Sequence, residues 1–436
     1  MKTIIRNAKQ LVTCASAGGK PKRGDAMRDV GLIEDGALVI DGERIAAVGR
    51  TADILAAHTA DRMIDASDKV VCPGFVDCHT HAVYAGDRLN EFEQRIAGAT
   101  YMEIMAAGGG INRTVQATRA ASHQDLLSQS GDRVFEMLKL GTTSVEIKTG
   151  YGLDTLNEFK LLDVIDELAH WHYTNDIIPT FLAAHAVPPE YRGRTDAYVD
   201  LVINEMLPAA AVWYRRIFPR VYTDVGRWLE PPEADPAYPF FVDVFCEDGV
   251  FSVEQSQRMW EAARGYGMGI KAHVDEFVSL GGVTAAIQAG ATSVDHLDVT
   301  TAEEIAVLAA SDTIGVVLPA VNFNLGSHHY ANARGMIDAG AALALATDLN
   351  PGSAPCYSMP FVMAIACRYQ KLLPAEALNA ATINAAYAIG MGERVGSLEV
   401  GKQADVLIVD APDYRALMYE FGSNLVNTVI KRGKII

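Results

Sequence analysis

The sequence lacks any pair of cysteines at redox-motif or metal-motif spacing. Its six cysteines, Cys14, Cys72, Cys78, Cys246, Cys356 and Cys367, are scattered over 436 residues, which excludes a zinc ribbon and a disulfide-stapled fold and reads as buried thiols. No run of about 18 apolar residues occurs that could span a bilayer. Lys9 interrupts the N-terminal region before a stretch of signal-peptide length builds up, so a cytoplasmic location and no membrane partner are expected. Basic charge is also scarce, with 37 Lys and Arg against 54 Asp and Glu and a net charge of −17. Without a basic stripe to neutralise phosphates, nucleic acid is not an expected partner. An anionic substrate has to be captured by a local cation, since the overall field repels it.

What is present is ordinary globular composition, 50% hydrophobic and 21% charged, over a length that suits one barrel of roughly 250 residues plus a smaller module. Short β-type runs open the chain at Thr3–Ile5, Ala37–Ile40 and Ile45–Val48 and close it at Asp405–Val409 and Val426–Ile430, with turn residues between them. Between these ends the rhythm is strand, loop, helix. Strand runs are predicted at Val70–Cys78, Thr142–Ile147, Ile177–Ala183, Phe241–Phe245, Gly269–Ala272, Thr292–Val294, Ile314–Leu318 and Ala342–Ala346. Helical periodicity fills the gaps, as in Leu126–Leu138, Leu156–Leu168, Val199–Met206, Val253–Ala263 and Ala375–Ala388. The expected architecture is α/β, a (β/α)8 TIM-like barrel over 71–396 with an insertion at 213–239, beside a small composite β-sandwich domain from 1–70 and 397–436.

A barrel of this kind carries its chemistry at the C-terminal strand ends. Polar residues at those ends are His79 and His81, Lys148 to Tyr151, His185, Glu247, His273 and Glu276, His296, Asn322, Asp348 and Asn350. In Asp77-Cys78-His79-Thr80-His81 the two histidines are two apart, so strand geometry points both to one side, where they can share an ion. His273, His296 and Asp348 add nitrogen and carboxylate ligands that suit zinc or iron better than magnesium. The set His79, His81, His273 and Asp348 leaves one position open for water. Spacing alone is weak, since His170-Trp171-His172 repeats it at the end of a helical run, where a structural role fits. His328-His329 reads as a solvated loop, His123 opens a helix and His58 lies outside the barrel.

Gly74-Phe75-Val76-Asp77-Cys78-His79-Thr80-His81, the later single histidines and the strand-eight Asp348 resemble the amidohydrolase superfamily. The match sharpens with the runs Asn90–Arg95, Ala107–Ile111, Val145–Leu153, Phe181–Pro189 and Ala346–Ser353, which resemble its members that open an imidazolone ring, from near residue 30 to the C-terminus. The resemblance implies one divalent ion, zinc or iron, on His79, His81, His273 and Asp348. It also implies a small anionic heterocyclic substrate held by Arg88, Tyr101, Tyr151, His185 and Glu276, with Asn350, Gly352 and Ser353 lining the pocket. The implied reaction is hydrolysis of 4-imidazolone-5-propanoate to N-formimidoyl-L-glutamate, and a homodimer is implied as well.

In chemical terms, an ion at that site ionises water near neutral pH for attack on a ring carbon. Asp348 can take a proton and return it to the departing nitrogen, with Glu276 as the other candidate. His296 and His185 can donate to a developing oxyanion, a role worth roughly 3 to 4 kcal/mol per donor elsewhere. Arg88 presents a fork suited to a carboxylate, although taken alone it reads as a surface partner of Glu91 or Glu93. Phe245-Cys246-Glu247-Asp248 offers no lysine to bridge two ions, so one ion is expected; Lys148 and Lys271 sit on other strands, and Lys271, at the same strand parity as His273, is a remote reserve candidate. Ala107–Ile111 lacks the Lys-Ser/Thr of a phosphate loop. The closest rival function is a mononuclear aminohydrolase that deaminates a purine or pyrimidine. A catalytically dead scaffold is disfavoured because all four proposed ligands are present.

Overall fold

The computed structural model describes the chain except residues 17, 100–102, 104–108, 172–174, 217–220, 223–227 and 230–238. Eight parallel strands form one sheet in sequential order: β1 Phe75–Asp77, β2 Thr142–Lys148, β3 Asp176–Ala184, β4 Phe241–Cys246, β5 Gly269–Val274, β6 Ser293–His296, β7 Ile314–Val317 and β8 Leu343–Leu345. Past the ends of β8 and β1 the backbone closes the barrel, with Asp348 N donating to His79 O at 3.0 Å and His81 N to Leu349 O at 2.9 Å. The strands are buried along almost their whole length, as expected for a parallel sheet covered by helices. The covering helices begin where short polar side chains cap them: Ser122, Asp154, Ser252 and Thr301 each accept from a backbone N–H of the first turn.

Both chain ends make a second sheet, in which Lys2–Val12, Leu32–Asp41 and Arg44–Arg50 join Val406–Val409 and Val426–Lys431, and Val221–Tyr222 pairs with Trp228–Leu229 in a separate two-stranded sheet. The predicted run Val70–Cys78 is in fact two strands. Val70–Pro73 pairs with Val406–Val409 and Lys2–Val12 in the end sheet, and only Phe75–Asp77 enters the barrel. Gly74 makes the crossing, because a Cβ there would lie 2.1 Å from the Thr143 hydroxyl. The predicted helix Ala375–Ala388 is likewise divided into Pro374–Ala380 and Ile383–Ala388. At the break the Ala381 carbonyl accepts from Val76 N of β1 at 2.9 Å, so a barrel strand takes a bond that a continuous helix would have used.

A buried ion cluster ties the start of β3 to the end sheet. Lys431 Nζ lies 2.7 Å from both Asp176 Oδ2 and Asp405 Oδ2, and Arg432 pairs with Asp176. Among the described residues no helix is long and apolar enough to cross a membrane. The expected insertion starts inside the helix Leu207–Arg216, where Trp213 donates to Asp163 at 2.9 Å. Most of 217–238 lies outside the described residues.

Candidate metal centre and substrate pocket

The barrel brings all four proposed ligands together. His79 and His81 follow β1, His273 sits on β5, and Asp348 follows β8. Asp348 Oδ1 is 3.5 Å from His79 Nε2 and 3.5 Å from His81 Nε2, and His273 Nε2 is 3.4 Å from His81 Nε2. His296, at the end of β6, joins His79 and His273 in a second close group, and His185 joins His81 and His273 in a third. Asp348 and His296 both adopt positive φ, 53° and 83°, a strained backbone of the kind that concentrates at functional sites.

These residues fit a cation. His79 Nε2 and Asp348 Oδ1 are buried and have no hydrogen-bond partner among the described residues, a costly arrangement unless something binds them. Burial, followed by neighbouring positive charge, holds the His79 and His81 imidazoles well below their ordinary pKa, so these rings are neutral and can offer lone pairs. Burial pushes the Asp348 carboxyl up to about 8, against the lowering effect of Asn350 and Lys148.

Beneath the ligands lies a charged layer that motif reading missed. His79 Nδ1 is 2.7 Å from Asp295 Oδ2, and His273 Nδ1 is 2.9 Å from Asp243 Oδ2. Lys148 Nζ reaches Asp243 at 2.8 Å, Glu146 at 2.9 Å and Asp295 at 3.4 Å, and Lys271 pairs with Glu146. All five charged groups are fully buried. Lys271, the reserve candidate for an ion-bridging lysine, is thus engaged by a carboxylate, as is Lys148. Glu247, another strand-end candidate, accepts from Phe277 N at 2.9 Å and Val278 N at 3.0 Å and so braces the loop that carries Glu276.

The substrate candidates divide into free and engaged groups. Arg88 is half-buried, with Nε donating to Thr114 Oγ1 at 3.0 Å, and among the described residues it makes no ion pair with Glu91 or Glu93. A Cβ on Gly352 would stand 2.4 Å from Arg88 Nη1, so the guanidinium rests against the loop that follows Asp348. Tyr151 is buried between His81 and His185, its ring 5.7 Å and 5.5 Å from theirs. Burial raises its phenol pKa, Arg88 lowering it and Asp348 raising it. His185 stacks on His81 at 4.7 Å, and its Nδ1 is 3.1 Å from Gly150 O. A carbonyl only accepts, so in this contact Nδ1 carries the proton and Nε2 is an acceptor. The sequence-based expectation of His185 as an oxyanion donor therefore does not fit, whereas His296 Nδ1 is buried with no hydrogen-bond partner among the described residues.

Glu276 Oε2 lies 3.7 Å from His296 Nδ1, and burial, then Asp348, raises its pKa well above the ordinary value. Asn350 is fully engaged within its own loop, donating to Asp348 O at 2.7 Å and Ser353 Oγ at 2.8 Å and accepting from Gly352 N and Ser353 N at 2.8 Å each. It shapes the loop instead of offering a free amide. Asn322 donates to Asp298 at 3.0 Å and His329 O at 2.9 Å. Tyr101 lies outside the described residues.

A barrel with histidines after β1, on β5 and on β6 and an aspartate after β8 defines a class, and comparison with known proteins agrees with it. Residues 247–436 match the amidohydrolase family model. Residues 36–60 match the model of the imidazolonepropionase-like composite domain of bacteria. The fold is shared with a triazine hydrolase variant, TM-score 0.75 at 17% identity over 100% of this chain and 94% of that one. It is also shared with an adenosine deaminase from Xanthomonas campestris with bound zinc, TM-score 0.69 at 20% identity over 99% and 92%. The amidohydrolase family is metal-dependent, and the histidine groups here are able to hold a metal ion. The particular family follows from full-length relatives. The chain is 55% identical to the imidazolonepropionase of Chloroflexus aggregans over 433 residues, covering 99% of this chain and 98% of that protein. It is 50% identical to the imidazolonepropionase of Herpetosiphon aurantiacus, covering 99% and 96%. The chain belongs to the imidazolonepropionase family.

Proposed function

We propose that this chain hydrolyses 4-imidazolone-5-propanoate to N-formimidoyl-L-glutamate in histidine degradation, using one zinc or iron ion on His79, His81, His273 and Asp348. The observation that carries the substrate assignment is the Arg88 guanidinium resting against Gly352, four residues beyond Asp348. It provides a cation for a propionate arm beside a site for a cyclic amide. The reading takes residues 71–396 as the catalytic unit and 1–70 with 397–436 as its companion, in a cytoplasmic homodimer.

A divalent ion bound there supplies Lewis acidity, lowering the pKa of water from about 16 towards neutrality. The chain's own groups do the rest. Arg88 pairs with the propionate carboxylate, leaving Nε on Thr114. Tyr151 closes one wall of the pocket. His185, with Nδ1–H on Gly150 O, accepts a ring N–H at Nε2, while His296 donates from Nδ1 to the oxygen of the ring carbonyl as negative charge builds on it. Water adds to the carbonyl carbon and the ring C–N bond breaks. Asp348 takes the water proton and passes it to the departing nitrogen, and Glu276, held near His296, orients the substrate.

The deciding assay follows freshly generated imidazolone propionate with metal-replete protein, with Asp348→Ala subtracting spontaneous decay. Formimidoyl-glutamate should form with the native chain and not with the variant. Ammonia release from purines or pyrimidines, without imidazolone turnover, would overturn the assignment in favour of an aminohydrolase.

A further inference from the structure

We propose that Lys148 is a positioning residue for the metal centre: a single buried ammonium group that aligns His273 and His79 through Asp243 and Asp295. The inference rests on the ligand assignment above and extends it to residues that touch neither ion nor substrate.

The geometry is specific. Oδ2 of Asp243 receives Lys148 Nζ at 2.8 Å and faces His273 Nδ1 at 2.9 Å. Oδ2 of Asp295 receives the same ammonium at 3.4 Å and faces His79 Nδ1 at 2.7 Å. The other oxygen of each carboxylate is pinned as well. Asp243 Oδ1 accepts from Val244 N at 2.7 Å and His273 N at 3.2 Å, and Asp295 Oδ1 accepts from Ser293 Oγ at 2.6 Å. Neither carboxylate can rotate without breaking these bonds. A lysine ammonium only donates, so each Oδ2 is left as an acceptor: His79 Nδ1 hydrogen-bonds to Asp295, and His273 Nδ1 makes a close polar contact with Asp243 that lacks hydrogen-bond geometry. An imidazole that donates at Nδ1 presents its lone pair at Nε2, the atom that faces the other ligands. One side chain thereby holds the carboxylates behind two ligands on different strands, setting the tautomer of His79 and bracing the ring of His273, the role that outer carboxylates play in metal sites.

Lys271 provides the control. It is equally buried, but it donates to Glu146 and to Cys78 O at 3.0 Å, not to either carboxylate behind a histidine. Simple charge also predicts the opposite sign. Deleting a positive charge near a cation site should tighten cation binding, whereas loss of alignment should weaken it.

The test measures the zinc affinity of metal-free protein by competition with a chromophoric chelator, alongside melting curves recorded in excess chelator. Lys148→Met should weaken zinc binding by about 10- to 100-fold, and Lys271→Met by less than about threefold, although both lower the melting temperature of the metal-free chain. Asp295→Asn should also weaken binding, and combining it with Lys148→Met should cost less than the product of the two losses. If Lys148→Met does not fold, Lys148→Gln, which keeps one donor amide, should still show a loss greater than Lys271→Met. Zinc binding in the folded Lys148 variant that equals or exceeds the native value, or that falls no further than in Lys271→Met, overturns the proposal and leaves the ligand assignment standing. A native chain that takes up neither zinc nor iron overturns both.

Discussion

If Arg88 holds the carboxylate of the substrate, a methyl group placed behind it should act on the substrate and on little else. In Gly352→Ala the new Cβ would lie 2.4 Å from Nη1, 2.8 Å from Cζ and 3.3 Å from Nε of Arg88. Ordinary contact begins near 3.4 Å, so the guanidinium has to retreat by about 1 Å. It cannot swing freely, because Nε is tied to Thr114 Oγ1 at 3.0 Å, and a hydrogen bond to a charged group is worth about 1.5 to 3 kcal/mol. A misplacement of about 1 Å in a positioning group costs up to roughly 100-fold in rate. The expected fall in kcat/KM is therefore about 10- to 100-fold, or roughly 1.4 to 2.7 kcal/mol. It should appear mainly as a raised KM, since the lost contact binds the propionate arm equally in the ground and transition states. Steady-state kinetics on four proteins decide it: native, Gly352→Ala, Arg88→Met and the double variant. In the Arg88→Met background the methyl group should cost less than about threefold. A Gly352→Ala protein with native KM, or one equally impaired with and without Arg88, would refute the placement of the carboxylate.

Two further outcomes follow from buried charge. Lys431→Met takes the cation from the buried Asp405 carboxylate and leaves the buried Asp176 with Arg432 alone, and should destabilise the chain by about 3 kcal/mol at pH 7, read as a lower urea midpoint. Burial raises the Asp176 pKa, but Lys431 and Arg432 lower it by more, leaving it below the ordinary value. This stabilisation is present above the unfolded pKa of about 3.9 and is lost as pH falls through the folded value, so the gap between native and variant should narrow below about pH 4; a variant as stable as native at pH 7 contradicts the clasp. For the metal site, the Asp348 carboxyl at about 8 and the depressed His79 and His81 mean that an entering ion displaces a proton from the carboxylate. Apparent zinc affinity should rise with pH by up to ~10-fold per unit and level off above about 8, and a flat profile from pH 6 to 8 would sink that account.

Much of the architecture was legible because parallel strands buried on both faces leave continuous apolar runs, and eight of these in alternation with helical periodicity point to a barrel. The ligands were legible for a local reason, since His79 and His81 share a strand face whatever the tertiary setting. Where sequence reasoning fell short, competing physics explains it. Val70–Val76 carries no polar side chain, so nothing in its hydrophobic pattern shows that the strand changes sheets at Gly74; only the close approach of Thr143 does. Asn350-Pro351-Gly352-Ser353 has turn composition, and the turn consumes the Asn350 amide that the family resemblance assigned to the pocket. The charged layer did leave a signal. Glu146, Asp243, Lys271 and Asp295 interrupt apolar strands, and a charge in the middle of such a strand has to find a partner inside the barrel.

That layer also explains how one barrel can keep so many imidazoles in one place in different states. His79, His273 and His296 lie within 5.5 Å of one another, ring to ring, and protonating His79 or His296 in this buried setting is opposed by desolvation, by Lys148 and by the neighbouring rings as they charge. Three carboxylates, Glu146, Asp243 and Asp295, against two ammonium groups, Lys148 and Lys271, leave one excess negative charge beneath the ligands. Adding an ionised Asp348 makes two, which balances a divalent ion without requiring any histidine to be charged. Within that balance each ring takes its role from what stands at its Nδ1. A carboxylate hydrogen-bonded to His79 and one in close contact with His273 turn these rings towards an ion, the Gly150 carbonyl turns His185 into an acceptor, and His296, whose Nδ1 has no hydrogen-bond partner among the described residues, is left to donate. The division of labour among four chemically identical side chains thus follows from what stands behind them.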